Sequence, residues 1–95
     1  MNEQDFIKKC KELVHRYTLD RYTLDHMDES DFKQKASFTL DNVFVVWQSK
    51  VLQNNKAMLS TTNTDGMYYE ITYNGNKEEY YFDAYKKFEN KCIKA

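Results

Sequence analysis

"MYYEITYNGNKEEYYF", residues 67–82, decides how the rest of this sequence is read. Its first half alternates. Met67, Tyr69, Ile71 and Tyr73 fall on one side, and Tyr68, Glu70 and Thr72 on the other. That period of two belongs to a strand with one face in a core. Asn74-Gly75-Asn76 follows, and Asn-Gly is the strongest short hairpin signal, because it supplies positive φ at little cost. Residues 78–82 then return as a further strand, and Asp83 caps a helix over residues 84–93. A second reading uses the same residues. Tyr81, Tyr85, Phe88 and Cys92 follow helical spacing, and Asn76 with Glu79 forms a capping box. The hairpin is preferred, because an Asn-Gly turn without a returning strand wastes its geometry.

Working outward, "VFVVWQSKVL" (43–52) is rich in β-branched and aromatic residues and reads as a strand. "QNN" turns the chain, "KAMLSTT" (56–62) reads as a second strand, and "NTDG" (63–66) carries Asp-Gly turn chemistry. At the other end, Phe6, Cys10, Leu13, Val14, Tyr17 and Leu24 mark one face of a helix. Glu3 and Asp5 sit early in it, where the helix dipole favours them. Residues 26–41 are polar with isolated Phe32, Phe38 and Leu40, and read as a connection. The expectation is a single small α+β domain over residues 1–95. It has an N-terminal helix (1–25), a connection (26–41), an antiparallel meander of three to four strands (43–82) and a C-terminal helix (84–93).

Composition narrows the function. The chain has 95 residues and a formal net charge of −1, with 14 basic and 15 acidic side chains well mixed along it. A nucleic-acid binder normally carries a basic excess that releases counterions, and none is present. Aromatic residues make up 16%, enough for a core built on a few large rings. The first residues lack an apolar signal segment, and no apolar run is long enough to span a bilayer. Reducing cytoplasm, with Cys10 and Cys92 as free thiols, is the expected setting.

The first strand is apolar on both sides over its first half: Val43, Val45 and Trp47 against Phe44 and Val46. A helix on each face of a central strand would account for this. The functional alternative is a protein-binding or self-association patch built from Phe44, Val46, Met58 and Tyr68. Burying about 400 Å² there would contribute roughly 10 kcal/mol before the costs of association. Tyr68, Tyr69, Tyr73, Tyr80 and Tyr81 invite a base-stacking reading, but their neighbours are Glu70, Glu78 and Glu79 rather than Lys or Arg. His15 and His26 are eleven residues apart, about 16 Å along a helix, and cannot share a metal there. Both read as surface residues. Asp25, Asp28, Glu29 and Asp31 lack the glycine and spacing of a calcium loop and read as a solvated loop. The serines lack a nucleophile elbow, and two glycines cannot build a phosphate loop. No catalytic, cofactor-binding or metal-ligating residue is therefore nominated.

"LQNNKA" (52–57), "DGMYYE" (65–70) and "DAYKKFEN" (83–90), in that order, resemble a family of small uncharacterised proteins. These are encoded by phages and prophages of Gram-positive bacteria such as streptococci and lactococci. The resemblance runs over residues 41–94. It implies a bacteriophage protein acting in the host cytoplasm and transfers no catalytic residues. The expected role is a non-enzymatic protein-binding accessory factor, host-directed or anti-defence, with a host or phage protein as partner. The alternatives are a nucleic-acid-associated replication or regulatory protein and a self-assembling structural protein forming a homo-oligomer. No membrane partner is expected.

Residues 16–25, "RYTLDRYTLD", repeat five residues in tandem. A five-residue shift rotates a helical side chain by about 140°, so the copies cannot present the same chemistry twice. The stretch reads as a duplication absorbed where the first helix meets its exit loop, lengthening one or the other. Deleting residues 21–25 should leave a folded protein. Loss of the cooperative thermal transition on that deletion would show the second copy to be structural.

Overall fold

The computed structural model describes residues 2–25 and 37–94, and the side chains of residues 22–25 are outside that description. Helix α1 spans Glu3–Asp25. A short 3-10 turn at Leu40–Asn42 leads into four strands: β1 (Val43–Val51), β2 (Asn54–Thr61), β3 (Met67–Asn74) and β4 (Glu79–Lys86). They form one antiparallel meander in the order β1-β2-β3-β4.

Asn2 starts α1. Its side-chain oxygen accepts from the Asp5 amide at 2.8 Å, and its carbonyl accepts from the Phe6 amide at 3.1 Å. This satisfies donors that a helix N-terminus otherwise leaves orphaned. The helix runs through both copies of the pentapeptide, so the duplication lengthens helix rather than loop. The first copy makes core contacts. Tyr17 packs edge-on to Tyr69, with ring centroids 5.5 Å apart, and leans on Phe82 at 5.1 Å. Thr18 is buried, and its hydroxyl donates to the Val14 carbonyl at 2.8 Å.

Phe6, Cys10 and Val14 form the buried stripe of α1, with Leu13 and Tyr17 packed beside it. Opposite stand Ala57 and Leu59 of β2 and Met67, Tyr69 and Ile71 of β3. The alternation read over residues 67–73 is thus the burial pattern of β3. His15 is not the surface residue expected. Its ring stacks on Phe38 at 5.5 Å, and Nε2 donates to the Phe38 carbonyl at 2.9 Å. It pins the segment before the 3-10 turn to the helix. His26, Phe32, Asp28, Glu29 and Asp31 lie outside the described residues.

Three expectations are corrected. There is no C-terminal helix over 84–93. Strand β4 continues through Asp83 to Lys86, and residues 87–94 are irregular. The reason is the length of β3. Met67, Tyr68, Tyr69 and Glu70 pair with Lys86, Tyr85, Ala84 and Asp83. A helix starting at 84 would strip partners from the backbone beside the buried Tyr69. Next, β1 is an edge strand, not a central one covered on both faces. Its apolar two-sidedness has another origin, described below.

The third correction concerns turn chemistry. The β3–β4 connection is not a two-residue Asn-Gly turn but four residues, 75–78, with positive φ at Glu78 (53°) rather than at Gly75. Asn74 closes it by accepting from the amides of Asn76 (3.1 Å) and Lys77 (3.2 Å). Gly75 is needed for space: a Cβ there would stand 2.3 Å from the Gln53 carbonyl oxygen. The chain turns between β1 and β2 at Leu52–Gln53, one residue earlier than read, with Leu52 at φ 56° and almost fully exposed. A left-handed leucine carries strain that glycine avoids. Leu52→Gly is expected to raise stability by about 0.5–1 kcal/mol. Gly75→Ala is expected to lower it by roughly 1–3 kcal/mol. Midpoints of urea unfolding measure both.

Candidate functional site

A strand's side chains alternate between faces, and ladder partners share a face. Val45, Leu59, Tyr69 and Ala84 form one row across the sheet, on the side of α1. Phe44, Ser60, Tyr68 and Tyr85 form a row on the other side. Further along that second face lie Met58, Glu70 and Asp83, then Lys56, Thr72 and Tyr81. The one described helix packs on the first face, against β1, β2 and β3. Among the described residues, no element packs on the second face.

Its apolar content gathers at one end. Phe44 is 47% exposed and Tyr85 49%, with half-buried Tyr68 and the buried Ser60 between them. Ser60 Oγ donates to the Met67 carbonyl at 2.8 Å and is satisfied. Tyr81 is 45% exposed and donates to Glu79 at 2.6 Å, a bond that pushes its phenol above the ordinary tyrosine value. Of the four residues nominated from sequence, Phe44, Met58 and Tyr68 share this face. Val46 stands at its β1 edge, 45% exposed.

Val46 also explains the two-sided strand. Val45 pairs with Leu59 and Trp47 with Met58, so Val46 has no partner and forms a bulge. The alternation changes phase there. Val43 and Val45 face the helix, while beyond the bulge Gln48 and Lys50 hold the helix-side register positions and Trp47, Ser49 and Val51 the open-side ones. Apolar residues on both sides reflect a bulged edge, not a doubly covered strand. Tyr85 was missed, because residues 84–93 were read as helix.

The aromatic platform considered for bases is divided. Tyr69 is fully buried, and Tyr73 and Tyr80 pack together on the helix side at 4.8 Å. Tyr68 and Tyr81 lie on the open face, where Glu70 and Asp83 are their acidic neighbours. Lys56 pairs with Glu70 at 3.1 Å.

A second concavity is an open groove of about 650 Å³ between α1 and β1, with Ile7, Lys8 and Lys11 facing Val45, Trp47 and Gln48. None of its polar lining residues is buried. Among the described residues, no three His, Cys, Asp or Glu side chains gather as metal ligands, and no helix is long and apolar enough to cross a membrane. Burial pushes the Cys10 thiol up to about 12 and raises the Tyr69 and Tyr80 phenols, so these groups stay protonated at neutral pH.

These features define a small α+β protein: an N-terminal helix laid across a four-stranded antiparallel meander, with no other described element on the opposite sheet face. The chain belongs to a family of unknown function, DUF6275, whose model matches residues 7–95. The match takes in the N-terminal helix, beyond the 41–94 segment that carried the resemblance. No curated protein and no solved structure matches the chain.

Cys10 is fully buried under the sheet and Cys92 is exposed. Since the thiolate is the reactive form, burial and a raised pKa both protect Cys10. A thiol-specific reagent should modify Cys92 alone in the folded protein and Cys10 only after denaturation, as read by mass spectrometry of the labelled peptides.

Proposed function

We propose that the protein is a small phage-encoded, non-enzymatic accessory factor that binds a host protein in the bacterial cytoplasm, as a host-directed or anti-defence inhibitor. The observation that carries this reading is the sheet face on which no described element packs, with Phe44, Tyr68 and Tyr85 in one row beside Val46 and Met58. Apolar patches of a few hundred Å² mark interaction sites when they are contiguous. Tyrosine suits such a surface, because its ring buries area while its hydroxyl still finds a partner. The phage context rests on the resemblance of the three segments at 52–57, 65–70 and 83–90.

The nucleic-acid alternative draws support from Tyr68, Tyr81 and Tyr85 on an open sheet face. Against it stand the acidic pair Glu70 and Asp83 on that face and the formal net charge of −1.

Affinity capture from host lysate, with and without nuclease, separates the two. One stoichiometric protein should survive nuclease treatment and be lost with a Phe44→Ser, Tyr85→Ser variant. Both positions are about half exposed, so circular dichroism should show that variant folded. Loss of every captured species on nuclease treatment would replace this reading with the nucleic-acid one.

A further inference from the structure

The open face and the segment that follows β4 carry complementary chemistry. Phe44, Val46, Tyr81 and Tyr85 are each 45–49% exposed on or beside the face. Together they present roughly 350 Å² of largely apolar surface, at about 200 Å² per aromatic side chain and less for Val46. Residues 87–94 have no regular structure, yet Phe88 is 99% exposed and Ile93 84%. Those two side chains add roughly 300 Å². Counted on both copies, the sum falls within the roughly 1,200–2,000 Å² in total that stable interfaces bury.

Charge matches as well. The face holds Glu70, Asp83 and Glu79 against Lys56. Glu70 and Asp83 lie directly opposite each other on β3 and β4, a like-charge pairing that destabilises a sheet. Lys56 neutralises Glu70, while among the described residues no cation pairs with Asp83. Lys87, Lys91 and Lys94 outnumber Glu89, which pairs with Lys91 at 3.4 Å, and leave the segment after β4 basic. That segment leaves the sheet at Lys86, next to Tyr85, at the apolar end of the face. Its first residue is held there by the Lys87 amide, which donates to the Gly66 carbonyl at 2.7 Å.

From this we infer that the face is occupied by a second copy of the chain: residues 87–94 of each copy dock on the open sheet face of the other. Phe88 and Ile93 lie on the row from Phe44 to Tyr85, and the lysines meet Asp83. The contact is isologous, since each copy supplies one face and one segment. It rests on the reading that this face is a docking surface. It further specifies that the face is self-covered until a host protein displaces the segment.

Sedimentation velocity of the full chain across micromolar concentrations tests it. A dimer is expected. Phe88→Ser with Ile93→Ser, both exposed in the single chain, should raise its dissociation constant at least about tenfold. Asp83→Lys should do the same, while relieving the repulsion with Glu70 and leaving the urea midpoint no lower. A full chain that stays monomeric overturns the inference, whether the segment folds onto its own sheet or stands free. So does a dimer indifferent to these substitutions. The proposed function fails separately, if the Phe44→Ser, Tyr85→Ser variant still captures the host protein.

Discussion

Among the described residues, one long helix covers one of the sheet's two faces. Everything else in this molecule follows from that constraint. At 1.5 Å per residue, the 23 residues of α1 reach about 35 Å. They lie across β2 and β3, where Leu59, Tyr69 and Ile71 reach zero exposure. Burial then falls away toward β1 and β4, whose core contacts are Val43 and Val45 on the one and Tyr80 and Phe82 on the other. The core is accordingly narrow and aromatic: Tyr17, Tyr69 and Phe82 form a mutual triad with centroids 5.1–5.6 Å apart. Three rings fill the space between one helix and two strands with few residues.

The elements governed by local periodicity were legible. The stripe of α1 is visible in Phe6, Cys10 and Val14, and the alternation of β3 in Met67, Tyr69 and Ile71. Both patterns reflect one buried face, which is what periodicity reports. That Phe44, Met58 and Tyr68 share one sheet face was legible for a related reason, because the strand phase fixes which residues lie side by side. What stayed hidden depended on partners distant in the chain. Residues 84–86 have helical spacing, yet their conformation is set by the backbone of Met67, Tyr68 and Tyr69 across the ladder. Gly75 looked like a turn glycine, but the carbonyl of Gln53, from another hairpin, is what excludes a side chain there. His15 looked exposed until Phe38 was brought against it.

The bulge at Val46 shows how a single irregularity separates two kinds of apolar residue. An edge strand with unbroken alternation would put all its apolar side chains on one face, or leave a flat edge open to pairing with another chain. Here β1 spends Val43 and Val45 on the core and then changes phase. Bulges twist and bend the strand that carries them, which makes continuous edge-to-edge pairing along β1 difficult. That geometry favours contacts made by the open face over contacts made by the β1 edge.

The residues chosen for the open face bear on the same point. A sheet face exposed only to water is served by polar and charged residues, as at Lys56, Thr72 and Asn74 farther along it. Phe44 and Tyr85, on opposite edge strands, contribute little to the core, being about half exposed. Their rings bracket Tyr68 and shield Ser60, whose hydroxyl is already satisfied by the Met67 carbonyl. Removing either ring would therefore cost the isolated fold little and the face most of its apolar area. Nor does the acidic pairing of Glu70 with Asp83 stabilise the isolated sheet, since like charges directly opposite oppose it. Two features that do little for the single chain, or work against it, thus lie side by side on the face that the helix leaves bare. The proposed contact with another chain would account for both.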